Sequence, residues 1–134
     1  MTIFADASAL IAIITGEPEA DTLIDWLEAE RRRLCSPVSV WETMAGLCHI
    51  HTFSVPAARD HVQRFLATLE FEWVPIGEAE YHLALDAYAH YGKGRHPARL
   101  NMGDCFAYAC TKSNRAKLLF KGDDFTKTDI ARPA

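Results

Sequence analysis

Apolar positions along this chain fall alternately into short runs and helical periods. Thr2-Ile3-Phe4-Ala5 has the length and composition of a short buried strand. Ser8 to Thr15 reads as helix, closed by the turn Gly16-Glu17-Pro18, and Pro18 suits a new helix start. Ala20, Leu23, Ile24 and Leu27 then recur at helical spacing, predicting a helix over 19–32. Arg31-Arg32-Arg33 would close that helix, well placed for its macrodipole. Leu34-Cys35 reads as a second short strand, and Ser36-Pro37 opens a helix to Ile50. Pro56 to Leu69 is amphipathic, and Phe71 to Ile76 alternates like a strand. Glu78 to Tyr91 is helical, and Gly92 to Pro97 is a loop rich in glycine and basic residues. Gly103 to Lys112 is an apolar helix, Lys117 to Phe120 a strand, and Gly122-Asp123-Asp124 a turn.

The resulting order, β-α-α-β-α-α-β-α-α-β, predicts an α/β fold: a mostly parallel central sheet flanked by helices on both faces. With 134 residues and no evident linker, one domain over 1–134 is expected. No apolar run is long enough to span a bilayer. The apolar stretch after Asp6 lacks the basic residues that precede a signal peptide's core, so a cytoplasmic location is expected. Cys35, Cys48, Cys105 and Cys110 form no C-x-x-C pair and read as free, mostly buried thiols.

The chemistry of interest lies in acids: Asp6, Glu42, Asp104 and one of Asp123 and Asp124. Ligands in such folds gather at the carboxyl ends of the strands. Asp6 and Asp123/Asp124 lie just past predicted strand ends, and Asp104 and Glu42 sit near helix starts that reach the same edge. Two such charges about 5 Å apart repel by roughly 3 kcal/mol at an effective dielectric of about 20. A divalent cation relieves that repulsion, and oxygen-only ligands suit Mg²⁺ or Mn²⁺. Each acid also has a local reading. Asp6 or Ser8 can cap a helix, and Ser39-x-x-Glu42 matches a capping box. Asp104 can serve a helix dipole, Asn101 can cap the same helix, and Asp123 or Asp124 can be a turn residue.

A net charge of −4 argues against a generally basic nucleic-acid binder. The charge is uneven, however: Lys93, Arg95, His96 and Arg99 lie in a stretch, Gly92 to Gly103, without a single acid. Carboxylates for a metal and Lys/Arg for a phosphate backbone would produce this division. Lys93, Arg95, Arg99, Asn101 and Ser8 are therefore candidate substrate contacts. His96 reads as an exposed loop histidine, Trp41 and Phe106 as core, and Tyr91 as a weak base-stacking candidate. Two rival readings need no nuclease. One is an acidic pocket that docks a basic peptide, and the other is a metal-dependent phosphatase with an aspartyl nucleophile.

Four motifs taken together carry a family resemblance. They are Asp6-x-Ser8-Ala9, Trp41-Glu42, Asn101-x-Gly103-Asp104-Cys105-Phe106-Ala107-Tyr108-Ala109, and Leu118-Leu119-Phe120-Lys121-Gly122-Asp123-Asp124-Phe125 with Thr128-Asp129-Ile130. In order and spacing they resemble the PIN-domain toxins of the VapC type over essentially the whole chain. The resemblance implies a Mg²⁺- or Mn²⁺-dependent endoribonuclease, with tRNA or rRNA as expected substrate. It implies the toxin half of a toxin–antitoxin pair: a homodimer, held by a VapB-type antitoxin, that meets DNA only through the antitoxin complex. Carried over by motif, Asp6 and Asp104 are primary metal ligands and Glu42 a further acidic member. The chain departs from the family pattern where relatives place an acid two residues before the Asp-Phe pair, because that position is Gly122. The fourth carboxylate then falls to Asp124, with Asp123 the alternative.

Overall fold

In a computed structural model of the protein, residues 1–130 are described. In chain order the elements are β1 (Thr2–Ala5), α1 (Ala7–Ile14), α2 (Ala20–Glu28), β2 (Arg32–Cys35), α3 (Pro37–Ile50) and α4 (Val55–Thr68). They continue with β3 (Glu72–Trp73), α5 (Glu78–Tyr91), α6 (Met102–Ser113), β4 (Lys117–Leu119) and a 3₁₀ turn over Asp124–Lys127. Every strand pair is parallel, and the spatial order is β3-β2-β1-β4. The sheet grows outward from β1 through β2 to β3, then returns to lay β4 on the other side of β1. The order therefore reverses between β1 and β4, where α/β sheets open a crevice at the strands' carboxyl ends.

The strands are apolar on both faces because helices cover both. Phe4, Leu34, Leu118 and Phe120 turn to one side, against Ala84 and Ala87 of α5 and Ala107 of α6. Ile3, Ala5 and Leu119 turn to the other, against Leu10 of α1 and Leu23 and Leu27 of α2. Cys35 joins Leu47 of α3 with Val62 and Leu66 of α4 in a third cluster. This one-residue alternation holds β1 and β4 in register, since a slip would exchange the two faces.

Several local expectations are corrected. Helix α2 ends at Glu28, and Arg32 and Arg33 belong to β2. From that strand Arg33 Nη1 donates to the Leu27 and Glu30 carbonyls at 3.2 and 2.7 Å, so the positive charge still reaches the α2 C-terminus. The strand expected over Phe71–Ile76 shrinks to two residues. Val74 N–H still donates to the Cys35 carbonyl at 2.8 Å, but Pro75 next to it has no N–H to continue the ladder. Ser36, rather than Ser39, caps α3: its hydroxyl accepts from Ser39 N–H at 3.1 Å, and Ser39 Oγ accepts from Ser36 N–H at 2.9 Å. Glu42 therefore has no capping duty. Trp41 is 70% exposed, because α3 buries the i, i+4 row Ser39, Thr43 and Leu47, and Trp41 lies off that row. Tyr91 is half-buried, its ring against His96 and Tyr108, with centroids 5.2 and 5.9 Å away. All four thiols are free, three of them buried. Among the described residues no helix is long and apolar enough to cross a membrane.

Candidate functional site

Asp6 follows β1 directly, and its N–H extends the ladder by donating to the Leu119 carbonyl at 2.9 Å. It is also the N-cap of α1. Asp6 Oδ2 accepts from Ser8 N–H at 3.1 Å and from Ser8 Oγ at 2.6 Å. The same Ser8 oxygen accepts from Lys121 N–H at 3.0 Å. Ser8 thus ties the Asp6 carboxylate to the chain leaving β4, across the point where strand order reverses. Asp6 is only 4% exposed.

Asp104 and Asn101 build the start of α6 as a reciprocal box. Asn101 Oδ1 accepts from Asp104 N–H at 2.9 Å, and Asp104 Oδ2 accepts from Asn101 N–H at 3.1 Å. The local capping reading of both residues is therefore real, and it fixes Asp104 in orientation. Helix α3 packs against α6, and Glu42 enters where Gly103 has no side chain. A Cβ on Gly103 would collide with the Glu42 carboxylate. Sequence reasoning passed over Gly103 as a site residue. The signal was a glycine placed inside a helix's first turn, where its low helix propensity calls for a packing reason.

The turn after β4 separates its two aspartates. Asp124 lines a cavity of about 210 Å³ together with Asp104, Asn101, Lys93 and Arg99. Asp123 lines a different cavity with Glu19, Thr22, Leu23, Trp26 and Lys121, against α2. The cavity beside Asp104 gathers two of the three basic candidates. Arg95 is placed elsewhere, its guanidinium over the Tyr88 ring, 4.9 Å from the centroid.

The electrostatics report the same convergence. Burial raises the Asp6 pKa above the ordinary aspartate value; the Ser8 hydrogen bonds oppose the rise and the Asp124 charge adds to it. Asp104 is pushed up to about 6, first by burial and then by the charges of Asp6 and Asp124. Glu42 is pushed up to about 7 by burial and by Asp6 and Asp104. Among the described residues none of these acids makes an ion pair with a base. As the side chains stand, no group of three or more His, Cys, Asp or Glu among the described residues is drawn into a metal-ligating set. The carboxylates are near enough to raise one another's pKa without being closed on a common point.

A family model of the PIN domain matches residues 3–131. The chain belongs to the PIN-domain family. Its PIN domain is 40% identical over 129 residues to Ribonuclease VapC30 of Mycobacterium tuberculosis, covering 96% of each chain. Among solved structures, this PIN fold is similar to Mycobacterium tuberculosis VapC20, described as a sarcin-ricin loop cleaving toxin. The TM-score there is 0.75 at 15% identity, with 96% of each chain covered. It is also similar to a chain of a toxin–antitoxin complex from Klebsiella pneumoniae, with a TM-score of 0.68 at 20% identity, covering 100% of this chain and 98% of that one. The expected fold class and the VapC-type resemblance are both borne out.

Proposed function

We propose that this chain is the toxin of a toxin–antitoxin pair and an endoribonuclease that uses Mg²⁺ or Mn²⁺. The observation that carries the proposal is the set of acids at the β1/β4 crevice, a buried Asp6 with half-buried Glu42 and Asp104, mutually repelling and without basic partners among the described residues. The VapC30 relative is named a ribonuclease, and two fold neighbours are a toxin and a member of a toxin–antitoxin complex. The donor set is carboxylate oxygen only, which fits a hard divalent cation. Asp6 and Asp104 would be the main ligands, with Glu42 and Asp124 completing the set. Bound there, the cation supplies Lewis-acid chemistry, offsetting phosphate charge and making water a better nucleophile.

The chain's own residues do the rest. Ser8 holds the Asp6 carboxylate in orientation, and the Asn101 box does the same for Asp104. Burial of Asp6 keeps bulk water from screening its charge. Lys93 and Arg99, on the wall of the cavity that Asp104 and Asp124 share, would hold the RNA backbone on either side of the cut. Single-stranded or loop RNA, as in tRNA or rRNA, suits the site because its bases are splayed and readable.

The partner reading is a VapB-type antitoxin and a second copy of the chain. An apolar groove of about 210 Å³, lined by Tyr81, Leu85, Tyr88, Met102 and Phe106, supports contact with protein partners, as does the exposed Trp41. DNA would be met through the antitoxin, and a chain acting on RNA would work in the cytoplasm. The test is to sequence the RNA ends produced in cells expressing the chain beside an Asp6→Ala control. Discrete ends present only with the wild-type chain are expected; identical ends in both would contradict the proposal.

A further inference from the structure

The loop between α5 and α6 is organised around one residue, His96. His96 N–H donates to the Gly92 carbonyl at 3.1 Å, and the His96 carbonyl accepts from Arg99 N–H at 3.0 Å. Its ring Nδ1 accepts from Ala98 N–H at 3.0 Å, which puts the ring proton on Nε2. The ring itself stands edge-on to Tyr91, 5.2 Å between centroids. At the base of the loop, Lys93 N–H donates to the Leu100 carbonyl at 2.9 Å and Leu100 N–H to the Tyr91 carbonyl at 3.0 Å. Ala98 and Leu100 are fully buried, so the loop is anchored in the core behind its exposed cations.

The two cations it delivers are Lys93 and Arg99, one near each end, and both line the cavity with Asp104 and Asp124. Arg99 is held at φ +56°, a left-handed conformation that a non-glycine residue adopts only under constraint. Its backbone N–H is the one bound by the His96 carbonyl. His96 and the strained cation are thus connected through the main chain, and the ring's bond to Ala98 N–H lies within the turn between them.

We propose that His96 is a positioning residue, which holds Lys93 and Arg99 as a cation pair at the mouth of the acidic cavity to receive RNA phosphates. The proposal rests on the ribonuclease reading for its ligand, and its geometry belongs to the loop alone. Because the ring works as a hydrogen-bond acceptor two residues ahead, asparagine can replace it: an Asn Oδ1 accepts the same N–H in an Asx-turn. Alanine cannot.

The test compares wild type, His96→Ala and His96→Asn as full-length chains, with folding checked by thermal melting. Binding of a labelled single-stranded RNA is followed across a NaCl series, and cleavage kinetics are measured separately. In His96→Ala, KM rises by about tenfold, as expected when a charge-assisted hydrogen bond to phosphate is misplaced, while kcat stays within about twofold. The salt slope of binding falls by about 0.7 for each cation that no longer reaches a phosphate. His96→Asn restores both. Wild-type slope and KM in His96→Ala would overturn the proposal, as would an Asn variant no better than Ala. A chain that binds RNA but never cuts it would instead sink the ribonuclease reading, with the binding slopes still deciding the role of His96.

Discussion

Two sets of acids in this molecule behave oppositely. Asp129 accepts from Lys112 Nζ and Tyr108 Oη, both at 2.8 Å, and Glu72 pairs with Arg32 at 2.8 Å. Glu17 pairs with Lys121. Asp129 is held below the ordinary carboxylate value: burial raises it, but the hydrogen bonds from Lys112 and Tyr108 outweigh that. Asp6, Glu42 and Asp104 are pushed up instead, chiefly by burial and then by neighbouring carboxylates, Asp124 among them. A surface acid with a basic partner stabilises the fold slightly and needs no further explanation. Acids withdrawn wholly or partly from water that repel one another cost stability, and a fold keeps them when something else binds there.

The largest expected break in this contrast is Asp104→Asn. It removes a ligand and should lower RNA cleavage by about a thousandfold or more. It should also raise the melting temperature in chelator, by roughly 3–5 °C for each kcal/mol of repulsion relieved. Asp129→Asn should do the reverse, keeping activity and losing stability. The pH dependence follows the same sign. Asp104 and Glu42 have folded pKa values near 6 and 7, above their ordinary values of 3.8 and 4.5. The folded state therefore holds protons that the unfolded chain has released. The contribution of these two groups to stability in chelator should be fully present below their ordinary values and be lost as pH rises through the folded ones, and Mn²⁺ should reverse that loss. Melting curves across that window, with and without Mn²⁺, check this.

Next in size is the choice between adjacent aspartates. Asp124→Asn should weaken cation binding and cleavage by about 10- to 100-fold, whereas Asp123→Asn should stay within about twofold. Titration calorimetry with Mn²⁺ on both variants sharpens the fourth position directly. Gly103→Ala tests the entry of Glu42. The new Cβ meets the end of a flexible side chain, so Glu42 can swing aside and the melting temperature should barely change. Cation affinity should nevertheless fall by about tenfold, because Glu42 then leaves the cluster. The smallest effect concerns the basic residues. Lys93→Ala and Arg99→Ala should each lower the salt slope of RNA binding by about 0.7, and Arg95→Ala should lower it less, since Arg95 lies over Tyr88.

Much of this was legible in the sequence because period and punctuation agreed. The apolar run at Thr2–Ala5, the helical period at Glu78–Tyr91 and Asn101 as a cap before an apolar helix each announce one element, and each is present in the fold. The common carboxyl edge follows from a parallel sheet, so the element order alone groups the acids. Pro37 marked the start of α3 and so favoured Ser36 as its cap, while the Ser39-x-x-Glu42 match was a chance pattern inside the helix. Tertiary contacts were harder to read. Arg33 serves the helix end from a neighbouring strand, a relation that sequence distance hides. The separation of Asp123 from Asp124 depends on how the turn leaves β4, where Gly122 takes φ +97° and redirects the chain.

The central claim is that the acids at the β1/β4 crevice form a cation-dependent ribonuclease site. Its most direct test is cleavage of a defined RNA by purified wild-type and Asp104→Asn chains across a Mg²⁺ and Mn²⁺ titration, with chelator as the zero point. The account predicts wild-type cleavage that rises with cation and vanishes in chelator, and none from a fully folded Asp104→Asn chain. Wild-type cleavage that persists in chelator, or an Asp104→Asn chain as active as wild type, would contradict it.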